Sequence, residues 1–261
     1  MDVLNSKKKL EIQNISKVMD GKDILKEISF DVYEGEFLSL LGPSGCGKTT
    51  ILRILIGLLE ATTGKIYKDG IEISSLIPSQ RGMGIVFQNY ALFENMSVLE
   101  NVRYALKFHK DLKQNAMQRA MEMVELVGLT EHLNKKPIQL SGGQQQRVAI
   151  ARTLALNPDI ILFDEPMSAL DIDTRLVLRR EIKELQKKLG TTMIFVTHDQ
   201  EEAFAMSDRI MVMNEGEICQ IATPHELLKA PNNDFIKSFV IDNLRLKMES
   251  MFEFIGDIYE E

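Results

Sequence analysis

Residues 37–56 constrain this chain more than any other stretch. Phe37-Leu-Ser-Leu-Leu41 is an apolar run without polar alternation, which reads as a strand buried on both faces. From Thr49 onward, apolar residues recur at helical spacing. Between them lies Gly42-Pro43-Ser44-Gly45-Cys46-Gly47-Lys48-Thr49-Thr50, a Gly-x4-Gly-Lys-Thr loop with a strand before it and a helix after it. Phosphate groups need several backbone N–H donors aimed at one point, and glycines permit the backbone angles this requires. The helix start adds its positive end. Lys48 supplies a point charge for β and γ phosphates, and the Thr49 hydroxyl can ligate Mg²⁺. The chain therefore carries a nucleoside-triphosphate site.

Composition bounds the rest. The 261 residues suffice for one large α/β domain with room for an inserted subdomain. Apolar content of 44% and charged content of 26% are those of an ordinary water-soluble fold. A net charge of −7 without a long basic block argues against nucleic acid as a partner. Cys46 and Cys219 form neither a ligand cluster nor a disulfide framework. Lys7-Lys8-Lys9 is followed by Leu-Glu-Ile-Gln-Asn rather than an apolar core, so no secretory signal is expected. Nor does any run reach the roughly 18 apolar residues that a membrane-spanning helix needs. A membrane role would have to come through a partner chain.

Along the chain, residues 10–40 alternate β-type runs with turns, and a second β-type section runs from Thr63 to Phe87, including Met83-Gly-Ile-Val-Phe87. From about Ser97 to Leu156 the pattern is helical, with stripes Val98, Val102, Ala105, Leu106 and Met117, Met121, Val124, Leu126. Ile160–Phe163, Thr192–Thr197 and Arg209–Met213 are further apolar strands. Leu178, Ile182, Leu185 and Leu189 make a helical stripe closed by Gly190. Apolar strands alternating with helices predict a parallel sheet covered on both faces. The segment from Asn232 reads as helix.

Two further constellations carry chemistry. Ile160-Ile-Leu-Phe-Asp164-Glu165 puts two acids at the carboxyl end of a buried strand, where doubly wound sheets bind ligands. Asp164 suits Mg²⁺ held through water, and Glu165 suits orienting and deprotonating an attacking water. Leu140-Ser141-Gly142-Gly143-Gln144 precedes a helix and forms a second anion site from a hydroxyl and glycine N–H groups. A plain serine-glycine helix cap accounts for Ser141 and Gly142 but offers no reason for Gly143 and Gln144.

In this order the phosphate loop, the Ser141–Gln144 signature and the acidic strand resemble the ABC ATPases, over about Leu10 to Phe239. The resemblance implies an α/β P-loop NTPase with a RecA-like core, an N-terminal antiparallel β subdomain and an inserted α-helical subdomain. Its domain would span 10–240, with the helical subdomain at about 90–156, and leave 241–261 as a helical tail without a separate regulatory domain. ATP and Mg²⁺ are the implied cofactors. Gly42 to Thr50 would cradle the phosphates, with Thr49, Gln88 and Asp164 at the metal. Glu165, His198 and Gln88 take the catalytic roles, His198 as the switch histidine at the γ-phosphate. Ser168-Ala-Leu-Asp171 resembles the loop that crosses a dimer interface. In such a head-to-tail dimer, the signature of one protomer closes over ATP held by the other. His109, His132 and His225 match no motif and read as surface residues. Where the family places an aromatic on the adenine, this chain has Met19.

The chain contains one cassette, no membrane segment and a spacer of about 90 residues without sustained heptads, unlike fused exporters or the coiled-coil repair members. Phe87-Gln-Asn-Tyr-Ala-Leu-Phe93, Val196–Ala203 and Thr223-Pro-His-Glu-Leu227 are similar to bacterial importers of polyamines, ferric iron, phosphonates, sulfate or sugars. The resemblance then implies an ATP-hydrolysing importer subunit, peripheral on the cytoplasmic face of the membrane. Its partners would be an integral-membrane permease, a second ATPase subunit (a homodimer) and, indirectly, an extracytoplasmic solute-binding protein. Tyr90, Leu92 and Phe93 are candidates to line the permease groove, with core packing as the alternative. A soluble regulatory or repair ATPase is the competing function.

Met19 generates a test. Aromatic stacking on a base contributes roughly 1–3 kcal/mol, and a thioether contact about 0.3–1.5. Met19→Tyr should tighten ATP binding severalfold, at most about tenfold, and sharpen the preference for ATP over GTP. Titration of both nucleotides reads the effect, and unchanged affinity would mean that adenine lies elsewhere.

Overall fold

The computed structural model describes residues 7–249. It opens with a long hairpin, β1 (Lys8–Met19) and β2 (Lys22–Tyr33). Asp20 and Gly21 both take positive φ, 51° and 74°, the geometry of a two-residue turn whose twist matches its strands. Next come β3 (Phe37–Leu41), α1 (Lys48–Ile56), β4 (Thr63–Lys68), β5 (Ile71–Glu72) and β6 (Met83–Val86). A helical stretch follows, with α2 (Val98–Tyr104), α3 (Ala116–Leu126) and α4 (Gly142–Ala155). The chain then re-enters the core through β7 (Ile160–Asp164), α5 (Ile172–Leu189), β8 (Thr192–Thr197), α6 (Gln200–Met206) and β9 (Arg209–Asn214). It continues through β10 (Glu217–Ala222) and α7 (Pro224–Lys229). A short helix at Asp234–Ile236 runs into a π-helical turn, Lys237–Asp242, and 243–249 stay helical. The expected tail beyond residue 249 lies outside the described residues.

Among the described residues the strands form two sheets. One is antiparallel, in the order β2-β1-β4-β5. The other has the order β10-β9-β3-β8-β7-β6, parallel except where β10 pairs with β9. Every residue of β3, β7 and β8 is buried, as apolar runs covered on both faces require. The first hydrophobic cluster joins the antiparallel sheet to the core sheet through α1, and separate clusters lie under α5 and within α2–α4.

Three sequence readings change. The run at Met83 belongs to the parallel sheet, where Met83 to Val86 pair with Ile160 to Phe163, and not to the β-type section around it. In α3 the inward residues are Ala116, Ala120 and Val124, whereas Met117 and Met121 are 48% and 37% exposed. Alanine lets α2 and α4 approach closely, and the helical period alone does not tell which apolar stripe faces in. In α5, Leu189 is exposed and Gln186 is buried, its amide donating to the Gly35 carbonyl at 2.6 Å; Gly190 closes the helix at φ 62° as its position suggests.

The far end of α1 is held by one side chain. Arg81 is 4% exposed and donates to the carbonyls of Ile54 (2.7 Å), Leu55 (2.9 Å), Leu76 (2.9 Å) and Ser74 (2.8 Å). Burial pulls its guanidinium pKa down, yet the positive group faces the negative end of the helix that follows the phosphate loop. Arg81→Met would leave these carbonyls without partners and should destabilise the fold by about 3 kcal/mol. That corresponds to roughly 6–12 °C in a calorimetric melt. A shift below about 1 °C would show that solvent already serves these carbonyls.

Candidate functional site

The phosphate loop leaves β3 and enters α1 between two close backbone approaches. A Cβ at Gly42 would lie 2.4 Å from the Met213 carbonyl oxygen. Gly47 has φ 104° and a Cβ there would meet Leu25 Cδ2 at 2.6 Å, so this position demands glycine for both conformation and space. Lys48 is 4% exposed, with its ammonium donating to the carbonyls of Gly42 (2.6 Å) and Pro43 (2.8 Å). The positive charge thus sits over the loop where phosphates would lie. Cys46, beside it, has its thiol pKa raised by burial.

Two of the three residues expected at the metal meet. Thr49 Oγ1 donates to Asp164 Oδ1 at 2.7 Å, joining the start of α1 to the end of β7. Burial pushes the Asp164 carboxyl up, and the Thr49 hydrogen bond acts against it. Glu165 follows in a left-handed conformation, φ 46°, which is strained for this residue type and recurrent at functional sites. Its Oε2 lies 3.1 Å from His198 Nδ1, so the proposed base and the switch histidine are in contact. Gln88 is not with Thr49 and Asp164: its amide donates to Ser168 Oγ at 3.0 Å, linking it to the interface loop. Met19 ends β1, 44% exposed, on the hairpin whose Leu25 side chain covers Gly47.

The signature caps α4. Gln144 N donates to Ser141 Oγ at 3.3 Å and Ser141 N to Gln144 Oε1 at 3.0 Å, a reciprocal capping box. Contrary to the sequence reading, one chain does supply reasons for Gly143 and Gln144. Gln144 is half of that box, and a Cβ on Gly143 would meet Thr174 Cγ2 at 2.6 Å. Thr174 in turn donates from its N (2.9 Å) and its Oγ1 (2.8 Å) to Asp171, which caps α5 with its carboxyl pKa held low by those bonds. The signature and the interface loop therefore pack on each other within the protomer.

Several placements were not foreseen. His132 is half-buried, and its Nε2 accepts from the Gln144 amide at 3.0 Å, so it is no mere surface histidine. No motif marks it. His109 and His225 are exposed, as expected. Tyr90 is buried and Leu92 packs against two core clusters, so of the groove candidates only Phe93 stays exposed, its ring tilted against Tyr104, whose other neighbour is Phe108. Tyr90 and Ala91 both take positive φ, and Arg152 of α4 holds their carbonyls at 2.9 and 2.7 Å.

A glycine loop between a buried strand and a helix, with an acid on its threonine from a parallel strand two places along the same sheet, defines a phosphate-loop nucleotide-binding protein. Residues 25–168 match the ABC transporter family, and the chain belongs to it. It is 47% identical over 240 residues to the spermidine/putrescine import ATP-binding protein PotA of Thermotoga maritima, covering 92% of this chain and 65% of that protein. The PotA of Oleidesulfovibrio alaskensis is 49% identical over 232 residues, covering 89% of this chain and 62% of its own length. The chain thus spans somewhat less than two thirds of these relatives. A dimeric ATP-binding cassette solved in a post-hydrolysis state with ADP and Pi superposes with a TM-score of 0.73 at 37% identity, covering 82% of this chain and 98% of that one.

The buried Asp164 gives a test of the site. Because its folded pKa lies above the ordinary 3.8, ionisation opposes folding, and stability falls as pH rises from 3.8 through the folded value. Asp164→Asn keeps an acceptor for Thr49 and removes that charge. The unliganded variant should be about 0.5–1 kcal/mol more stable near pH 7, roughly 1–4 °C in Tm, with the gain shrinking toward pH 4. A variant that melts lower than the parent at neutral pH would contradict this.

Proposed function

We propose that this chain is the ATP-hydrolysing subunit of an ABC importer, with residues 10–240 as its ATPase domain. The observation that carries the reading is the gathering of Lys48, the Thr49–Asp164 pair and the Glu165–His198 pair at one sheet edge. Charge stabilisation, a metal position and a base with its orienting partner are the parts that phosphoryl transfer to water needs.

The donor set fits Mg²⁺. Thr49 Oγ1 and Asp164 Oδ1 are hard oxygens 2.7 Å apart, and among the described residues no cluster of three or more acid, histidine or cysteine side chains offers a full protein cage. Mg²⁺ takes few protein ligands and completes its shell with phosphate oxygens and water. When bound there it would neutralise charge on the β and γ phosphates. Gln88 would have to leave Ser168 to join that shell. Lys48 would exchange its loop carbonyls for phosphate oxygens, and Glu165 would hold the attacking water and accept its proton, steadied by His198. These are positioning and electrostatic contributions.

The signature completes the site across a second protomer. Ser141 caps the 14-residue helix Gly142–Ala155 and is exposed, so its hydroxyl and the positive end of the helix would face the γ-phosphate held by a partner. Asp171 lies beside them on the same surface. No helix among the described residues is long and apolar enough to cross a membrane. The relatives, named as import ATP-binding proteins, support transport through a separate permease, docked by the region after Gln88, with this subunit peripheral on the cytoplasmic face. The names of the relatives favour a polyamine as cargo, delivered by a solute-binding protein on the other side.

Glu165→Gln keeps size and hydrogen bonding while removing the base. With ATP and Mg²⁺ this variant should shift from monomer to dimer in size-exclusion chromatography and hydrolyse at under about 1% of the parent rate. Lys48→Ala should lose hydrolysis as well but stay monomeric with ATP. A Glu165→Gln protein that stays monomeric, with protein and ATP well above their dissociation constants, would refute the composite site.

A further inference from the structure

Arg175 lies four residues beyond the Asp171 cap, in the first turn of α5, and no motif assigns it a role. Its Nη2 donates to the Leu170 carbonyl of the interface loop at 3.1 Å. Its Nη1 lies 3.7 Å from Asp199 Oδ2, and its Nε lies 3.7 Å from Glu202 Oε1. Those two acids follow His198, Asp199 as the cap and Glu202 in the first turn of α6. Glu202 is 6% exposed and accepts from Thr197 Oγ1 at 2.6 Å, while Asp199 N donates to the same hydroxyl at 3.0 Å. Thr197, Asp199 and Glu202 therefore form one small hydrogen-bonded unit at the end of β8, and His198 lies in the chain between Thr197 and Asp199. Glu165, Ser168, Arg175, His198, Asp199 and Glu202 line one small cavity.

The guanidinium is anchored to one side and only approaches the other. Both carboxylate distances exceed the roughly 2.7–2.9 Å of a charge-assisted hydrogen bond. The Nε proton is buried with no hydrogen-bond partner, which is costly to leave so. A displacement on the order of 1 Å of the interface loop would bring the fork onto both acids and carry the His198 turn with it. The same loop also reaches Glu165, because Ser168 donates to the Glu165 carbonyl through Oγ at 3.0 Å and through N at 3.3 Å.

We propose that Arg175 is a positioning residue that couples the Ser168–Asp171 loop to the Asp199–Glu202 turn, so that engagement of that loop by a second protomer fixes His198 in its contact with Glu165. The inference rests on the ATPase reading above. Arg175 acts through His198 and not on nucleotide or water directly. Burial raises the pKa of the Glu202 carboxyl, and a closer guanidinium would favour its ionised form.

The test is steady-state ATP hydrolysis by the purified chain with Mg²⁺. Arg175→Met should lower kcat about 10–100-fold while KM for ATP changes less than about threefold, and Arg175→Lys, which keeps charge but not the fork, should fall between. Glu202→Gln keeps the acceptor for Thr197 and should reproduce the loss, so it decides the matter if Arg175→Met fails to fold. In a His198→Ala background, Arg175→Met should cost little further rate, because both act on one element. ATP-driven dimerisation of Glu165→Gln should survive the added Arg175→Met change. Independent, multiplicative losses, or a kcat within twofold of the parent in both Arg175→Met and Glu202→Gln, would overturn the proposal while leaving the ATPase reading intact. A parent chain that neither binds nor hydrolyses ATP would overturn both.

Discussion

The hydrogen bond from Thr49 to Asp164 depends on the parallel register of the core sheet, and so does everything else at the site. Leu41 pairs with Thr197, Val196 with Asp164, and Phe163 with Val86. Strands running the same way in register end together, so their following loops emerge at one edge. Those loops are Gly42–Gly47 after β3, His198 after β8, Glu165 after β7 and Gln88 after β6. An antiparallel order would scatter the same side chains to opposite ends of the sheet.

Holding such groups together opposes stability in several places. Asp164 is buried against its preference for water, Glu165 sits at a left-handed φ, and Lys48 is inside the loop with only carbonyls and a distant thiol for partners. Burial of 23 mainly apolar side chains in the cluster beneath the loop makes these costs tolerable. The strain is concentrated where phosphates and a divalent cation would relieve it, an arrangement that makes the unliganded site a poised one.

The signature shows how a motif can have two physical reasons at once. Within the protomer, Ser141 and Gln144 cap a helix and Gly143 admits Thr174. Across protomers, the same hydroxyl and N–H groups would face a phosphate. The intrachain packing joins the signature to Asp171 and, through α5, to Arg175, so the surface that would meet the partner is mechanically continuous with the turn bearing His198.

Much of this was legible in residue order. The Gly-x4-Gly-Lys-Thr loop between an apolar strand and a helix, the acids ending Ile160–Phe163 and the Ser-Gly-Gly-Gln helix start each state their local chemistry, because backbone conformation and capping are decided within a few residues. The helical region and the glycine stop at Gly190 were readable for the same reason. Residue order left undecided which face of α3 turns inward, that β6 joins the parallel sheet, that Gln88 bonds Ser168, and that His132 and Arg175 reach functional loops. Those outcomes depend on packing between segments far apart in sequence: alanine against two neighbouring helices, an edge strand choosing its partner, and a guanidinium whose acids lie 24 and 27 positions away. Sequence alone determined what each loop could do to a phosphate; tertiary structure decided which side chains stand close enough to act together.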